Sequence, residues 1–153
     1  MGLGRVGAGV GKGLIAGLAG TAAMTVSSTL EARLRDRGAS SAPTDAAKRV
    51  LGIEQFRSDA EEQRFGQLVH WGYGTGWGAV RGVLRAAGVG PAGATLLHLA
   101  AVWGGEQVML PKLGVTPPAT EWGGEEVAID LWHHVVYAVG VAVAYELLEA
   151  GDR

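Results

Sequence analysis

Gly9-Val10-Gly11-Lys12-Gly13-Leu14-Ile15-Ala16-Gly17 and Gly74-Thr75-Gly76-Trp77-Gly78-Ala79-Val80-Arg81-Gly82 decide the fold. Each stretch puts glycine at every fourth position: Gly9, Gly13 and Gly17 in the first, Gly74, Gly78 and Gly82 in the second. On a helix, residues i, i+4 and i+8 lie close to one face. A stripe without side chains lets another backbone approach closely, which is how helices pack in lipid. In water the same stripe is a liability, because each interior glycine weakens a helix by about 1 kcal/mol relative to alanine. The two stretches therefore read as membrane-embedded helices that pack through their glycines.

The rest of the chain fits that reading. Four runs hold no Asp, Glu, Lys or Arg: 13–30, 65–80, 86–105 and 131–145. The first and third reach the usual spanning length of about 18 residues. The second and fourth span if flanking charges snorkel or are partly buried. The polar stretch from Glu31 to Arg64 holds the mean hydropathy down to +0.18. The expectation is all-α: one integral membrane domain over 1–153, a four-transmembrane-helix bundle with helices at about 10–34, 62–84, 92–110 and 124–150. A polar first loop, 35–61, joins the first two, with short amphipathic helices between 44 and 64. Pro111, Pro117 and Pro118 break the chain before the last helix, whose first turn carries Glu125 and Glu126. Arg5 and Lys12 ahead of an apolar run also suit a signal peptide, but the segment is expected to stay as a span.

Short turns make consecutive helices antiparallel. One side then bears both termini, with Arg5, Lys12, Arg81, Arg85 and Arg153. The other bears the longer loops, with Arg33, Arg35, Arg37, Lys48, Arg49, Arg57, Arg64 and Lys112. The excess of cations on the loop side leans it toward the cytoplasm, by too small a margin to fix the orientation. Trp71, Trp122 and Trp132 fall near the loop-side boundary as an aromatic belt, whereas Trp77 and Trp103 fall deeper, as core. Arg81 is expected to snorkel to the surface on the termini side.

Ionisable residues inside the helices gather in the loop-side third: Glu31, His70, Glu106, Asp130, His133 and His134. Such groups are expensive at membrane depth and are functional candidates. Read structurally, they are a hydrogen-bonded layer tying the helices together. Read as a metal site, Glu31, Gln67-x-x-His70, Glu106 and Asp130-x-x-His133 follow the order used by two-metal helical proteins, with Gln67 and Asp130 in place of glutamates. A haem between His70 and His133 or His134, and a proton relay, are further alternatives. His98 stands apart, on the face of Val102 and Glu106, as a histidine bonded to a neighbour's backbone or hydroxyl.

Several chemistries are excluded. There is no cysteine, hence no disulfide, thiolate site or cysteine nucleophile. A net charge of −2 without a basic stripe gives no reason to expect nucleic acid. Gly2-x-Gly4-x-x-Gly7 follows no strand and is not a dinucleotide fingerprint. No serine sits in a nucleophile-elbow context, and no catalytic residue is assigned.

Leu110-Pro111-Lys112-Leu113-Gly114-Val115-Thr116-Pro117-Pro118, with Asp130-Leu131-Trp132-His133-His134-Val135-Val136-Tyr137, resembles the YagU-like family of small bacterial inner-membrane proteins. Gly13-Leu14-Ile15-Ala16-Gly17 and the helix led by His70 are similar too. The resemblance implies a multi-pass protein of the bacterial cytoplasmic membrane, with Asp130, His134 and His70 as matching positions and a link to acid response. It implies no established activity, and this chain's charged first loop is longer than the family's. The leading expectation is a non-enzymatic structural or accessory envelope protein acting through helix packing. Its partners would be the lipid bilayer and either a second copy or a larger membrane complex. A metal- or haem-binding membrane protein is the alternative, and a proton-linked channel or carrier a further one.

Overall fold

A helix without side chains on one face can meet a second such helix backbone to backbone, and this is how the chain is put together. The computed structural model describes residues 2–152; Met1 and Arg153, the latter among the cations assigned to the termini side, lie outside the described residues. Helices α1 (Leu3–Leu34) and α3 (Asp59–Ala86) run antiparallel. Gly9 lies against Gly82, Gly13 against Gly78, and Gly17 against Gly74 and Thr75. A Cβ built on Gly9 would sit 2.7 Å from the Gly82 carbonyl oxygen, and one on Gly17 2.5 Å from that of Thr75. One on Gly78 would overlap the Gly13 carbonyl.

The same device continues one turn on. Gly20 faces α5 (Gly124–Gly151), where an added Cβ would lie 2.8 Å from the Tyr137 carbonyl oxygen, and Gly140 answers it from α5. Helix α1 thus sits between α3 and α5, its most extensive neighbours. Helix α4 (Pro91–Lys112) packs on α5 and α3, and the short α2 (Ala42–Leu51) rests against α3. A single 3₁₀ turn, Ala119–Glu121, precedes α5. The protein is all-α, and among the described residues there is no strand.

The boundaries follow local chemistry. Ser58 caps α3, its Oγ accepting from the Glu61 amide at 3.3 Å, with Asp59, Glu61 and Glu62 in the first turn. Residues 59–64, expected in the amphipathic segment, therefore belong to α3. Helix α1 begins at Leu3, about seven residues before the expected start, because Gly9 must already be helical to meet Gly82. Helix α4 runs through Pro111 to Lys112, where the missing N–H removes a single bond from the last turn. Gly88, at φ 90°, turns the chain between α3 and α4.

Polarity is arranged inside out. The buried apolar cluster is small: Ala16, Val102, Tyr137, Val141 and Tyr145. Thr21, Arg81, His98, His133 and His134 are buried with it, while Ile15, Leu18, Leu68, Leu96, Val143 and Leu147 are at least half exposed. Two helices, α1 and α5, are long and apolar enough to cross a membrane, and only 28% of the most apolar 18-residue stretch of each is buried. Helices α3 and α4, with 28 and 22 residues, are long enough but less apolar. By length and apolarity there are thus two candidate spans among the described residues where four are expected.

Candidate metal centre between α4 and α5

His133 and His134 are adjacent on α5, so their side chains diverge by about 100° around the helix. This separation divides the expected polar layer. His134 turns toward α4, where its Nε2 lies 2.6 Å from Glu106 Oε2. Its Nδ1 lies 2.9 Å from the backbone oxygen of Asp130, one turn back. A carbonyl only accepts, so Nδ1 carries the hydrogen and Nε2 is the nitrogen presented to Glu106. Asp130 is held from α4: Trp103 Nε1 donates to its Oδ2 at 2.8 Å and Gln107 Nε2 to the same oxygen at 3.2 Å. Its other oxygen, Oδ1, lies 3.7 Å from His134 Nδ1. Glu106, Asp130 and His134 each offer one ligand atom, all within 4.8 Å of one another.

The trio could hold a metal ion, and part of the outer support such a site needs is in place. A ligating histidine ordinarily donates its second ring N–H to a carbonyl or carboxylate, which fixes the tautomer, and ligating carboxylates are themselves hydrogen-bonded. The first condition holds for His134 and the second for Asp130, whereas the contact made by Glu106 is with His134 itself. One imidazole and two carboxylates suit a divalent cation such as Mn²⁺, Fe²⁺ or Zn²⁺.

The other members of the layer lie elsewhere. His133 turns toward α1, where Ser27 Oγ is 2.9 Å from its Nδ1 and Glu31 Oε2 is 3.7 Å from its Nε2. Glu31 is engaged by Arg35 and Arg37, and its hydrogen bond holds the Arg37 guanidinium above its usual pKa range. His70 also meets α1, its Nε2 2.8 Å from Thr25 Oγ1. Gln67 is exposed and accepts from Trp71 at 3.3 Å. The six-residue set thus resolves into the Glu106–Asp130–His134 trio, the contact of His133 with Ser27 and Glu31 of α1, and the contact of His70 with Thr25 of α1. The Asp130-x-x-His133 spacing is not the one used: Asp130 pairs with His134, at i+4.

No protein-family model, curated protein or solved structure matches this chain. The geometry of its polar groups is what speaks for it.

Toward the termini, Arg81 is fully buried instead of snorkelling. Its Nη1 donates to Thr95 Oγ1 at 2.8 Å and its Nη2 to Glu146 Oε1 at 3.1 Å, with the Tyr145 ring 5.7 Å away. Arg85 joins the same carboxylate, Nε at 3.0 Å from Oε1. His98 is fully buried, its Nε2 3.0 Å from the Trp77 carbonyl oxygen and its ring against Tyr137. The Arg81–Glu146 pair escaped the sequence reading. The available signal was that α3 and α5 place one cation and one carboxylate at the same depth.

Proposed function

We propose that this chain is a small four-span protein of the bacterial cytoplasmic membrane, of the YagU-like kind, that holds a divalent transition-metal ion between α4 and α5. The observation that carries the metal is the fixed tautomer of His134. With Nδ1–H tied to the Asp130 carbonyl, Nε2 is the nitrogen turned to Glu106, the proton shared by the two at 2.6 Å is the one a metal ion would displace, and Asp130 is oriented beside it by Trp103 and Gln107. A haem has no comparable support, because His70 and His133 are each turned onto a hydroxyl of α1.

Support for four spans is the inward direction of the polar groups of α3 and α4. Arg81 and His98 are fully buried, while Leu68, Leu96 and Leu97 face outward. Mean hydropathy averages over both faces and so understates how apolar the outer surface is.

A second reading has one observation in its favour: Glu106 and His134 already satisfy each other at 2.6 Å. On that reading the trio is a structural tie, and the protein is an accessory that works through helix packing or in acid response. The glycine stripes give no help to docking, since they face each other within the chain.

Elemental analysis of protein extracted in mild detergent without chelator separates the two. The metal reading expects about one equivalent of Mn, Fe or Zn, lost in His134→Ala and retained in His133→Ala and His70→Ala. Protein that is free of metal and takes up none of the three ions when they are supplied would leave the trio as a tie.

A further inference from the structure

The three side chains between α4 and α5 do not complete the coordination of a divalent transition ion. Structural zinc sites are closed by four protein ligands, whereas sites that handle an outside molecule keep one position open. Mn²⁺ and Fe²⁺ take about six donors. The contacts that hold the trio limit what it offers. Trp103 and Gln107 both donate to Asp130 Oδ2, at 2.8 and 3.2 Å, and use up its two lone pairs, so Asp130 gives an ion one oxygen at most. His134 Nδ1 is spent on the Asp130 backbone oxygen, so the ring offers Nε2 alone. Even with both oxygens of Glu106 engaged, the set falls short of the octahedral one.

No neighbour makes up the difference. His133 is turned to Ser27 and Glu31 of α1, and His70 to Thr25. Tyr137, one turn deeper on α5 than His134, donates its hydroxyl to the Gly74 carbonyl of α3 at 2.6 Å. Trp103 is a donor only. The trio is also open to the outside on its carboxylate side: Glu106 and Asp130 keep 21% and 23% of their side-chain surface, against 9% for His134. Charge then selects the missing ligand. Among the described residues, the one salt-bridge partner of either carboxylate is His134. Two carboxylates and a neutral imidazole balance a divalent ion. A neutral donor preserves that balance, whereas an anion leaves a net negative charge in a poorly solvated place.

We infer that a divalent ion held by Glu106, Asp130 and His134 keeps an exchangeable coordination position for a small neutral oxygen or nitrogen ligand, with water there at rest. The centre is built to take up and release a ligand, and does not serve merely to brace α4 against α5. This inference rests on the metal reading above.

The test uses the full chain in a neutral detergent, loaded with Co²⁺ as a visible stand-in for the native ion, with uptake measured by elemental analysis. Imidazole, at about pH 8 where it is neutral, and azide are then added separately. Imidazole is expected to shift the cobalt d–d bands saturably, at a concentration at least about tenfold below the one azide needs, which is about 1.4 kcal/mol of preference. The cobalt content after desalting is expected to stay unchanged. His133→Ala keeps both the cobalt and the response, because its side chain faces α1, and His134→Ala loses both. Bound cobalt whose bands neither probe moves means a closed centre and overturns the open position. A response that emerges only in His133→Ala makes His133 the closing ligand and overturns it as well. Azide binding more tightly than imidazole overturns the neutral ligand. Failure of the metal reading looks different: the protein would take up no cobalt at all, and both readings would fall together.

Discussion

A single glycine shows how differently the two environments of this fold treat the same residue. Gly78 faces Gly13 and Gly17, and an added Cβ would lie 2.6 Å from Gly17 Cα and overlap the Gly13 carbonyl. Gly76, two residues earlier on α3, has no atom within 4 Å of the same construction. Helix propensity favours alanine at both sites by about 1 kcal/mol. At Gly78 the separation of α1 from α3 outweighs that gain, with a net loss of about 1–3 kcal/mol, the usual range for overpacking. Gly76→Ala is therefore expected to raise the stability of the detergent-solubilised protein slightly and Gly78→Ala to lower it, read by tryptophan fluorescence during thermal unfolding. Equal effects of the two substitutions would mean that the stripes do not set the α1–α3 distance. The residue scale also shows where sequence reading stops. The spacing of Asp130 from His133 and from His134 allows either pair on one helix face. Contacts from other helices single out the second: Glu106 of α4 meets His134, while Ser27 and Glu31 of α1 draw His133 away, and no spacing within α5 could decide between them.

Between elements, the buried charge of α3 is matched by a carboxylate of α5. Arg81 has no exposed surface, and Glu146 is the carboxylate that compensates it. Removing one partner of a buried pair leaves an uncompensated charge, at a cost of about 3–5 kcal/mol. The Glu146 side chain keeps about a third of its surface, at 32% exposed, which places Glu146→Gln near the lower end of that range. Glu149→Gln is the matched control, because Lys12 retains Asp152 as a second carboxylate. Its cost is expected to stay at or below about 1 kcal/mol. Unfolding both variants in a denaturing-detergent titration measures the difference, and similar losses would mean that Arg81 does not depend on α5 for its charge balance. Much of the element scale was legible beforehand. Glycine periodicity, charge-free runs and the acids in the first turn of α5 mark helices whose positions differ from expectation mainly at their ends. The burial of Arg81 was not legible, because it was expected to snorkel and its partner Glu146 lies 65 positions away, where only packing brings the two together.

For the whole molecule, the membrane reading proposed above turns on how many helices cross. Helices α1 and α5 pass on apolarity alone. At a rise of 1.5 Å per residue, α3 and α4 are about 42 and 33 Å long, enough for a hydrocarbon core of about 30 Å. The ion pairs fix the ends: Arg35 reaches Glu126 at 3.0 Å where α1 stops and α5 starts, and Lys12 reaches Glu149 where α1 starts and α5 stops. With all four long helices crossing, residues 35–58 and 113–123 share one side, and residue 2 and the turn at 87–90 share the other. With only α1 and α5 crossing, everything from 35 to 123 lies on a single side. The absence of cysteine makes the two topologies separable with single substitutions at exposed positions: Ser40→Cys, Thr120→Cys, Ala87→Cys and Gly2→Cys. In sealed vesicles, a membrane-impermeant maleimide is expected to sort position 40 with 120, and position 87 with 2. Labelling of position 87 together with 40 would reduce the protein to two spans, with α3 and α4 outside the hydrocarbon. The trio of Glu106, Asp130 and His134 would then be shared between a spanning helix and a peripheral one. Because the reagent reads sidedness and not stability, this outcome does not depend on whether a metal is bound.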